Sequence, residues 1–345
     1  MTDATTTAAP RLLIVRLSSL GDVLHSLPAA HNLRVATGAV MDWVVQSEYA
    51  ELVRCFEGVD RVITTSRRAF VRHLPALWRE LRAVRYDWVF DLQGLLKSAM
   101  VAGMARGPRR IGPSYHREGS HFLYHRVAGA PDRSRHAVEQ ALDAVRFMGF
   151  DVLPPHFPVR FPSATLAGAG GKRVALLPVS RWESKNWPLA HFAALAHMLL
   201  EDPGVSLDLL GSAADRAVCE QLASGLPAER VRNLAGTLSL VELGSRLQAL
   251  DLLIANDSGP VHLAAAVGTR TLVLFGPTDP ARTGPYGDGH RVLSAPAPCA
   301  PCYRRRCHVH GHACLDSILP DQVAVVARSM LSARKRAGAS GNLRR

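Results

Sequence analysis

Long apolar runs are missing from this 345-residue chain. No window approaches 18 consecutive apolar residues, which excludes a helical membrane span. The opening residues, TDATTTAAP, lack the charged-then-apolar order of a secretory leader, so a cytoplasmic protein is expected. Aromatics are sparse at 6%, and no RNP, KH or zinc-finger pattern is present, which leaves nucleic-acid binding little support. There is no GxGxxG and no Walker lysine, so dinucleotide oxidoreductases and P-loop enzymes are excluded. Acids are short as well: 29 Asp and Glu against 41 Lys and Arg, a net charge of +12. That excess fits an anionic membrane surface, an acidic substrate or nucleic acid, or it is only a solvated basic face. What remains, 48% hydrophobic and 20% charged, is an ordinary globular balance with length for two domains.

The present elements alternate. LLIV reads as a strand, Ser-Ser-Leu-Gly as a turn, and Val23, Leu24, Leu27 and Ala30 as one helix face. MDWVV is a second strand, and YDWVFDLQGLLKSAMVAGMA repeats strand, turn and helix, its strand ending at Asp91. DVLPPHFPVRFPSATLAGAGGK, over 151–172, reads as a linker. Strands RVALLP, VSLDLLGS, DLLIAND and TLVLFGP then alternate with helices HFAALAHMLL, VELGSRLQA and HLAAAVG. Such alternation implies parallel sheets covered by helices on both faces, with ligands at the carboxyl ends of the strands. The expected division is 1–160, 161–333 and a basic disordered tail, 334–345. The helix DQVAVVARSML could pack on either domain.

Three turns carry chemistry. RLSSLGDVLHSLPA places Asp22 where a phosphate would otherwise meet helix N–H groups. SRWESKNWP sets Ser180, Arg181 and Lys185 after a strand, either as a diphosphate clamp or as a solvated turn. In NDSGPVHLAAAVG, Asp257 and Ser258 are N-cap residues, Pro260 suits the first helical turn and Gly268 the stop. A helix therefore starts where the strand ends, with N–H groups open to phosphate. His262, a turn further on, either reaches that ligand or is merely packed.

RLSSLGDVLHSLPA, DLQGLLKSA and NDSGPVHLAAAVGTRTLVLFGPTDP resemble, in order, the signatures of the family 9 glycosyltransferases, the lipopolysaccharide heptosyltransferases. SRWESKNWP and SYHREGSHFLYHR look more like heptosyltransferase I than II. The resemblance implies an α/β GT-B fold, two Rossmann-like domains facing a central cleft. It implies inverting transfer of heptose from ADP-heptose to Kdo of the inner core (Kdo-lipid A), with no cofactor required for catalysis. It makes Asp22 the general base and Lys185 the cation that meets departing ADP. Ser180, Arg181, Asp257, Ser258, Gly259 and His262 complete the donor set. Ser19, Gly21, Arg67, Arg68, Gln93, Lys97 and Arg117 fall in acceptor-binding segments, where Kdo carboxylates and lipid phosphates call for arginine. The basic surface would then hold a peripheral protein on the anionic inner face of the inner membrane, and no nucleic acid is expected. Two departures stand out: Arg16 replaces a common lysine, and GSAADRAV has Ala213 and Ala214 before Asp215 where an acid often follows that strand. A heptosyltransferase II, or a family member with another acceptor, shares these motifs. A non-catalytic module for anionic glycolipid or RNA would need neither Asp22 nor Lys185, and an epimerase would need further acids and bases.

CAPCYRRRCHVHGHAC holds Cys299, Cys302, Cys307 and Cys314 within sixteen residues, while Cys55 and Cys219 lie apart. CxxC and two more thiols fit a structural Zn or Fe site. Free or redox-labile thiols are the alternatives.

Overall fold

The computed structural model describes residues 9–132, 134–163, 171–309 and 312–333. The tail 334–345 and part of the expected linker lie outside these. The chain divides into two compact units, one reaching Phe161 and including Ala281–Thr283, the other comprising the rest.

The first unit runs β1 (Arg11–Val15), α1 (Leu20–Thr37), β2 (Val40–Gln46), α2 (Ala50–Arg54), β3 (Arg61–Thr65) and α3 (Phe70–Arg82). It continues with β4 (Trp88–Asp91), α4 (Leu96–Met104), β5 (Arg110–Pro113), β6 (Arg126–Ala128) and α5 (Ala137–Phe147). All pairings are parallel, in the order β3-β2-β1-β4-β5-β6. The apolar run of β1 is buried throughout because helices cover both sheet faces. α1 packs with α5. On the other face Leu77 and Leu81 of α3 and Val101 and Ala102 of α4 close over Leu13, Val15, Val44 and Ile63.

The second unit runs β7 (Lys172–Leu177), α6 (Leu189–Leu200), β8 (Val205–Leu209), α7 (Arg216–Ala223), β9 (Val231–Asn233), α8 (Leu240–Gln248) and β10 (Leu252–Asn256). Then come α9 (Gly259–Ala266), β11 (Thr271–Phe275), β12 (Arg291–Ser294), α11 (Ala313–Asp316) and α12 (Pro320–Ser332), while of α10 (Pro280–Thr283) only Pro280 belongs to this unit. Its parallel sheet is ordered β12-β11-β10-β7-β8-β9. The final helix packs within this unit: Val323, Ala324, Ala327 and Met330 join the core, and Arg328 bonds Glu201 at 2.7 Å. No helix among the described residues is long and apolar enough to cross a membrane.

In both sheets the strand order reverses at the middle, between β1 and β4 and between β7 and β10, while all strands stay parallel. Loops diverge there and leave room for ligands at the carboxyl ends. The turns after these four strands contain Asp22, Gln93, Lys185 and Asp257. Gly94 shows how tightly one of them is built. Its φ is +74°, and a Cβ there would sit 2.8 Å from Pro113 Cγ and 3.1 Å from the His116 Cα. Gly94→Ala is therefore expected to cost about 2–3 kcal/mol, from left-handed strain plus the clash. Thermal unfolding measures it, and an unchanged melting temperature would show that the turn can relax.

Candidate active site

The first turn answers why an acid follows Ser-Ser-Leu-Gly. Ser19 caps α1, and Asp22 sits at its third position. Asp22 Oδ2 accepts the Ser19 N–H at 3.0 Å and its hydroxyl at 2.7 Å. Oδ1 meets Arg16 Nη2 at 2.8 Å. The Arg16 side chain is buried, yet the Asp22 side chain is 44% exposed, so the carboxylate is held from behind and open in front. Gly21 beside it is buried.

Arg16 also reaches the second turn, where its Nη1 donates to the Leu92 carbonyl. Tyr115 donates to the same carbonyl at 2.7 Å, and the Leu17 N–H donates to Gln93 Oε1 at 2.8 Å. Beneath lies Asp91, fully buried, which accepts from the Gln93 and Gly94 N–H groups and from the Ser98 and Tyr124 hydroxyls. Burial pushes its carboxyl pKa up, while those four bonds pull it down. Asp91 thus organises the turn rather than facing solvent. The Gly94 carbonyl in turn accepts the Arg117 N–H at 2.7 Å, which fixes that residue beside the turn. Lys97 Nζ lies 4.0 Å from the centre of the Phe70 ring. Burial, and then the nearby charge of Arg67, draw its pKa below the ordinary lysine value, with Glu48 opposing. Arg67 and Arg68, exposed, follow β3. Ser19, Gly21, Arg67, Arg68, Gln93, Lys97 and Arg117 all lie in segments that follow the carboxyl ends of β1, β3, β4 and β5.

The second unit centres on Asp257. Its Oδ2 accepts Lys185 Nζ at 2.5 Å and the Thr278 hydroxyl at 2.6 Å. Of the two expected capping residues, Ser258 takes the N-cap position of α9, and Asp257 anchors the lysine. Ser180 donates its hydroxyl to the Asp257 carbonyl at 3.1 Å, and its own N–H is taken by Asn186 Oδ1 at 2.7 Å. Asn256 spans the two turns, accepting from the Trp187 N–H at 3.0 Å and donating to the Pro178 carbonyl at 2.7 Å. Lys185 Nζ lies 4.6 Å from the Trp182 ring centre. Ser258 Oγ is buried with no hydrogen-bond partner among the described residues, at the N-terminus of α9. An unsatisfied hydroxyl beside open helix N–H groups suits an anion. Gly259 begins that helix, His262 is buried on it, and Arg181 is exposed at the rim. Thr278, Asn256 and Trp182 were not singled out in the sequence. FGPTDP held the only signal for Thr278, and nothing in its spacing points back to Asp257.

The sequence pattern of Glycosyltransferase family 9 (heptosyltransferase) matches residues 74–312. The chain belongs to this family. It is 35% identical over 326 residues to lipopolysaccharide heptosyltransferase 1 of Pseudomonas aeruginosa, covering 86% of this chain and 87% of that protein. Its fold matches E. coli heptosyltransferase WaaC with ADP, with a TM-score of 0.77, 27% identity and coverage of 93% and 99%. The same E. coli enzyme with ADP-2-deoxy-2-fluoro heptose gives a TM-score of 0.75 at 26% identity, covering 92% and 99%. The chain is thus a GT-B glycosyltransferase of the heptosyltransferase type, whose chemistry calls for no cofactor.

The expected metal site is corrected. Among the described residues no group of three or more His, Cys, Asp or Glu could hold a metal ion, so a structural Zn or Fe is not supported at Cys299, Cys302, Cys307 and Cys314. Two of the thiols make local contacts. Cys314 is buried against the backbone at Gly276, and Cys307 Sγ donates to the Val309 carbonyl at 3.1 Å. Burial pushes the Cys314 thiol pKa up, and the thiols of Cys299, Cys307 and Cys302 add to the shift. The arginines between these cysteines brace the turn after β7: the Arg304 and Arg305 carbonyls accept from Ser184, and Arg305 lies over Trp182.

Lys185→Met strands the Asp257 carboxylate in a buried setting and is expected to cost about 3 kcal/mol. Adding Asp257→Asn should recover part of it. Thermal unfolding of both variants decides the point, and no recovery in the double variant would mean that the pair does not stabilise the fold.

Proposed function

We propose that the protein is an inverting heptosyltransferase that moves heptose from ADP-heptose to Kdo of the lipopolysaccharide inner core. The observation that carries this is the Asp22 carboxylate, clamped by Arg16 and Ser19 on one side and open to solvent on the other. A carboxylate so placed suits removal of a proton from an acceptor hydroxyl. As that oxygen bonds to the sugar's C1, the C1–O bond to the diphosphate breaks on the opposite face. The electron pair leaves with ADP, the proton goes to Asp22, and the step balances without a cofactor. ADP gains one negative charge as it departs. Lys185, Ser258 and the N–H groups of α9 at Gly259 supply positive potential for it. Ser180, Arg181, Asp257 and His262 complete the donor site.

On the acceptor side, Arg67, Arg68, Lys97 and Arg117 would meet carboxylates and phosphates, with Ser19, Gly21 and Gln93 near the reacting hydroxyl. The names of the relatives, lipopolysaccharide heptosyltransferase 1 and an enzyme with bound ADP, support this donor and this class of acceptor. An acceptor embedded in lipid would place the protein on the cytoplasmic face of an anionic membrane.

Asp22→Asn keeps the shape but removes the base. Turnover of ADP-heptose with Kdo2-lipid A is expected to fall about 10²–10⁴-fold while ADP affinity is kept. Near-wild-type turnover would overturn the assignment. Lys97 gives a pH signature. As pH rises through its lowered pKa the ammonium loses its charge, so KM for the anionic acceptor should climb at a lower pH than an ordinary lysine would set. Lys97→Gln should raise KM throughout and remove that limb; an identical limb in the variant would assign it elsewhere.

A further inference from the structure

We infer that the outer side of α3, α4 and the tight turn Ser120–Leu123 is a docking surface for an anionic lipid bilayer. The inference rests on the reading of the acceptor as lipid-borne and names the surface that would bring the enzyme to it.

α3 is apolar on two sides. Leu77 and Leu81 point into the core, but Val71 is 76% exposed and Trp78 49% exposed. Val71, Pro75, Trp78 and Arg82 are spaced by four, three and four residues, so they form a single exposed stripe along the helix. α3 packs beside α4, where Leu96 and Met100, one turn apart, are also exposed. α4 packs against the tight turn, whose Phe122 is 83% exposed. Exposed apolar side chains thus collect on three neighbouring elements, a pattern that marks an interaction site rather than chance scatter.

Charge says what covers it. Between Ser66 and Arg85 stand Arg67, Arg68, Arg72, Arg79, Arg82 and Arg85, all exposed, with Glu80 the only acid. Several other arginines of this unit are paired: Arg61 and Arg11 with Asp42, Arg34 with Asp60, and Arg135 with Asp143. None of the six on α3 and its flanks forms an ion pair in the described structure. Arg82 lies 5.1 Å from the centre of the Trp78 ring, a pairing of cation and amphipathic ring suited to a headgroup layer. A helix with an apolar outer stripe bordered by unpaired arginines matches an interfacial helix on anionic lipid. A second copy of the chain would bring two such basic faces together and be repelled. RNA would find few stacking rings here. The acceptor residues Arg67, Arg68 and Lys97 sit at the leading ends of α3 and α4, so a glycan projecting from the bilayer would meet them first.

Flotation of the full chain with vesicles tests this, using phosphatidylcholine alone and an equal mixture with phosphatidylglycerol. Wild type is expected on the anionic vesicles. Val71→Ser with Trp78→Ser should weaken binding about 10-fold, and Arg72→Gln, Arg79→Gln and Arg82→Gln together should abolish the preference for phosphatidylglycerol. ADP affinity, and turnover of a lipid-free acceptor glycan, should stay within about twofold in both variants, since none of these residues is assigned to the site. Equal vesicle binding by the variants, binding indifferent to phosphatidylglycerol, or loss of single-stranded RNA binding in place of vesicle binding would each overturn the proposal. A wild-type protein that floats on anionic vesicles yet turns over no acceptor would support the surface and refute the transferase reading alone.

Discussion

Arg16 is the piece on which the first site depends. One buried guanidinium holds the Asp22 carboxylate with Nη2 and the Leu92 carbonyl with Nη1. The carbonyl belongs to the turn after β4, the carboxylate to the turn after β1, so a single side chain ties both halves of the sheet's switch point. Gln93 repeats the tie in reverse, through the Leu17 N–H. A guanidinium can do this because its donors are fixed in a planar fork; a lysine in its place would present one ammonium instead. Everything placed by the second turn, including Lys97 and Arg117, inherits its position from this link and from Asp91 below.

The second unit contains a copy of the first turn that clarifies what the arginine adds. After β8, Ser212 donates its N–H and its hydroxyl to Asp215 Oδ2, both at 2.7 Å, just as Ser19 does to Asp22. The local bonds of the two Ser-x-x-Asp turns are therefore equivalent. Only at Asp22 does the other carboxylate oxygen meet a buried arginine. Gly236, at φ +75°, lets the neighbouring loop close on Ala213, where a Cβ would stand 2.5 Å from the Ala213 Cα. The small residues of GSAAD are thus explained by packing at the start of α7. The Ser-x-x-Asp pattern makes a turn, and its surroundings decide what the acid is for.

Much of the fold was legible because its strands and helices carry periodic apolar patterns. The strands β1, β2, β4, β7, β8, β10 and β11 and their crossover helices follow from such runs. The short strands β5, β6, β9 and β12 do not: they are three or four residues long and polar or mixed, and pairing with a neighbour makes them strands. The site was legible where function and local geometry coincide, as at Ser19 and Asp22. It was illegible where partners come from distant strands. Asp257 and Ser258 read equally well as caps, because a capping acid and an anchoring acid look alike in sequence; Lys185, 72 residues away, makes the difference. The four clustered cysteines were legible as neighbours, and Cys299, Cys302 and Cys307 do act on Cys314, but no metal-holding group of three is found among the described residues.

Two lysines at the ends of the two sheets are prepared for opposite tasks. Lys185 is bonded to a buried aspartate and held near the face of Trp182, so its direction is set before any ligand arrives. A cation that must meet charge developing on a leaving group benefits from such preorganisation, because nothing has to reorient during the reaction. Lys97 lies against Phe70 with Arg67 close by, and its positive form is disfavoured by that setting. An arriving anion would relieve both the desolvation and the repulsion at once. The first arrangement suits transition-state stabilisation and the second suits capture of an acidic ligand, which is the division expected between a donor site and an acceptor site.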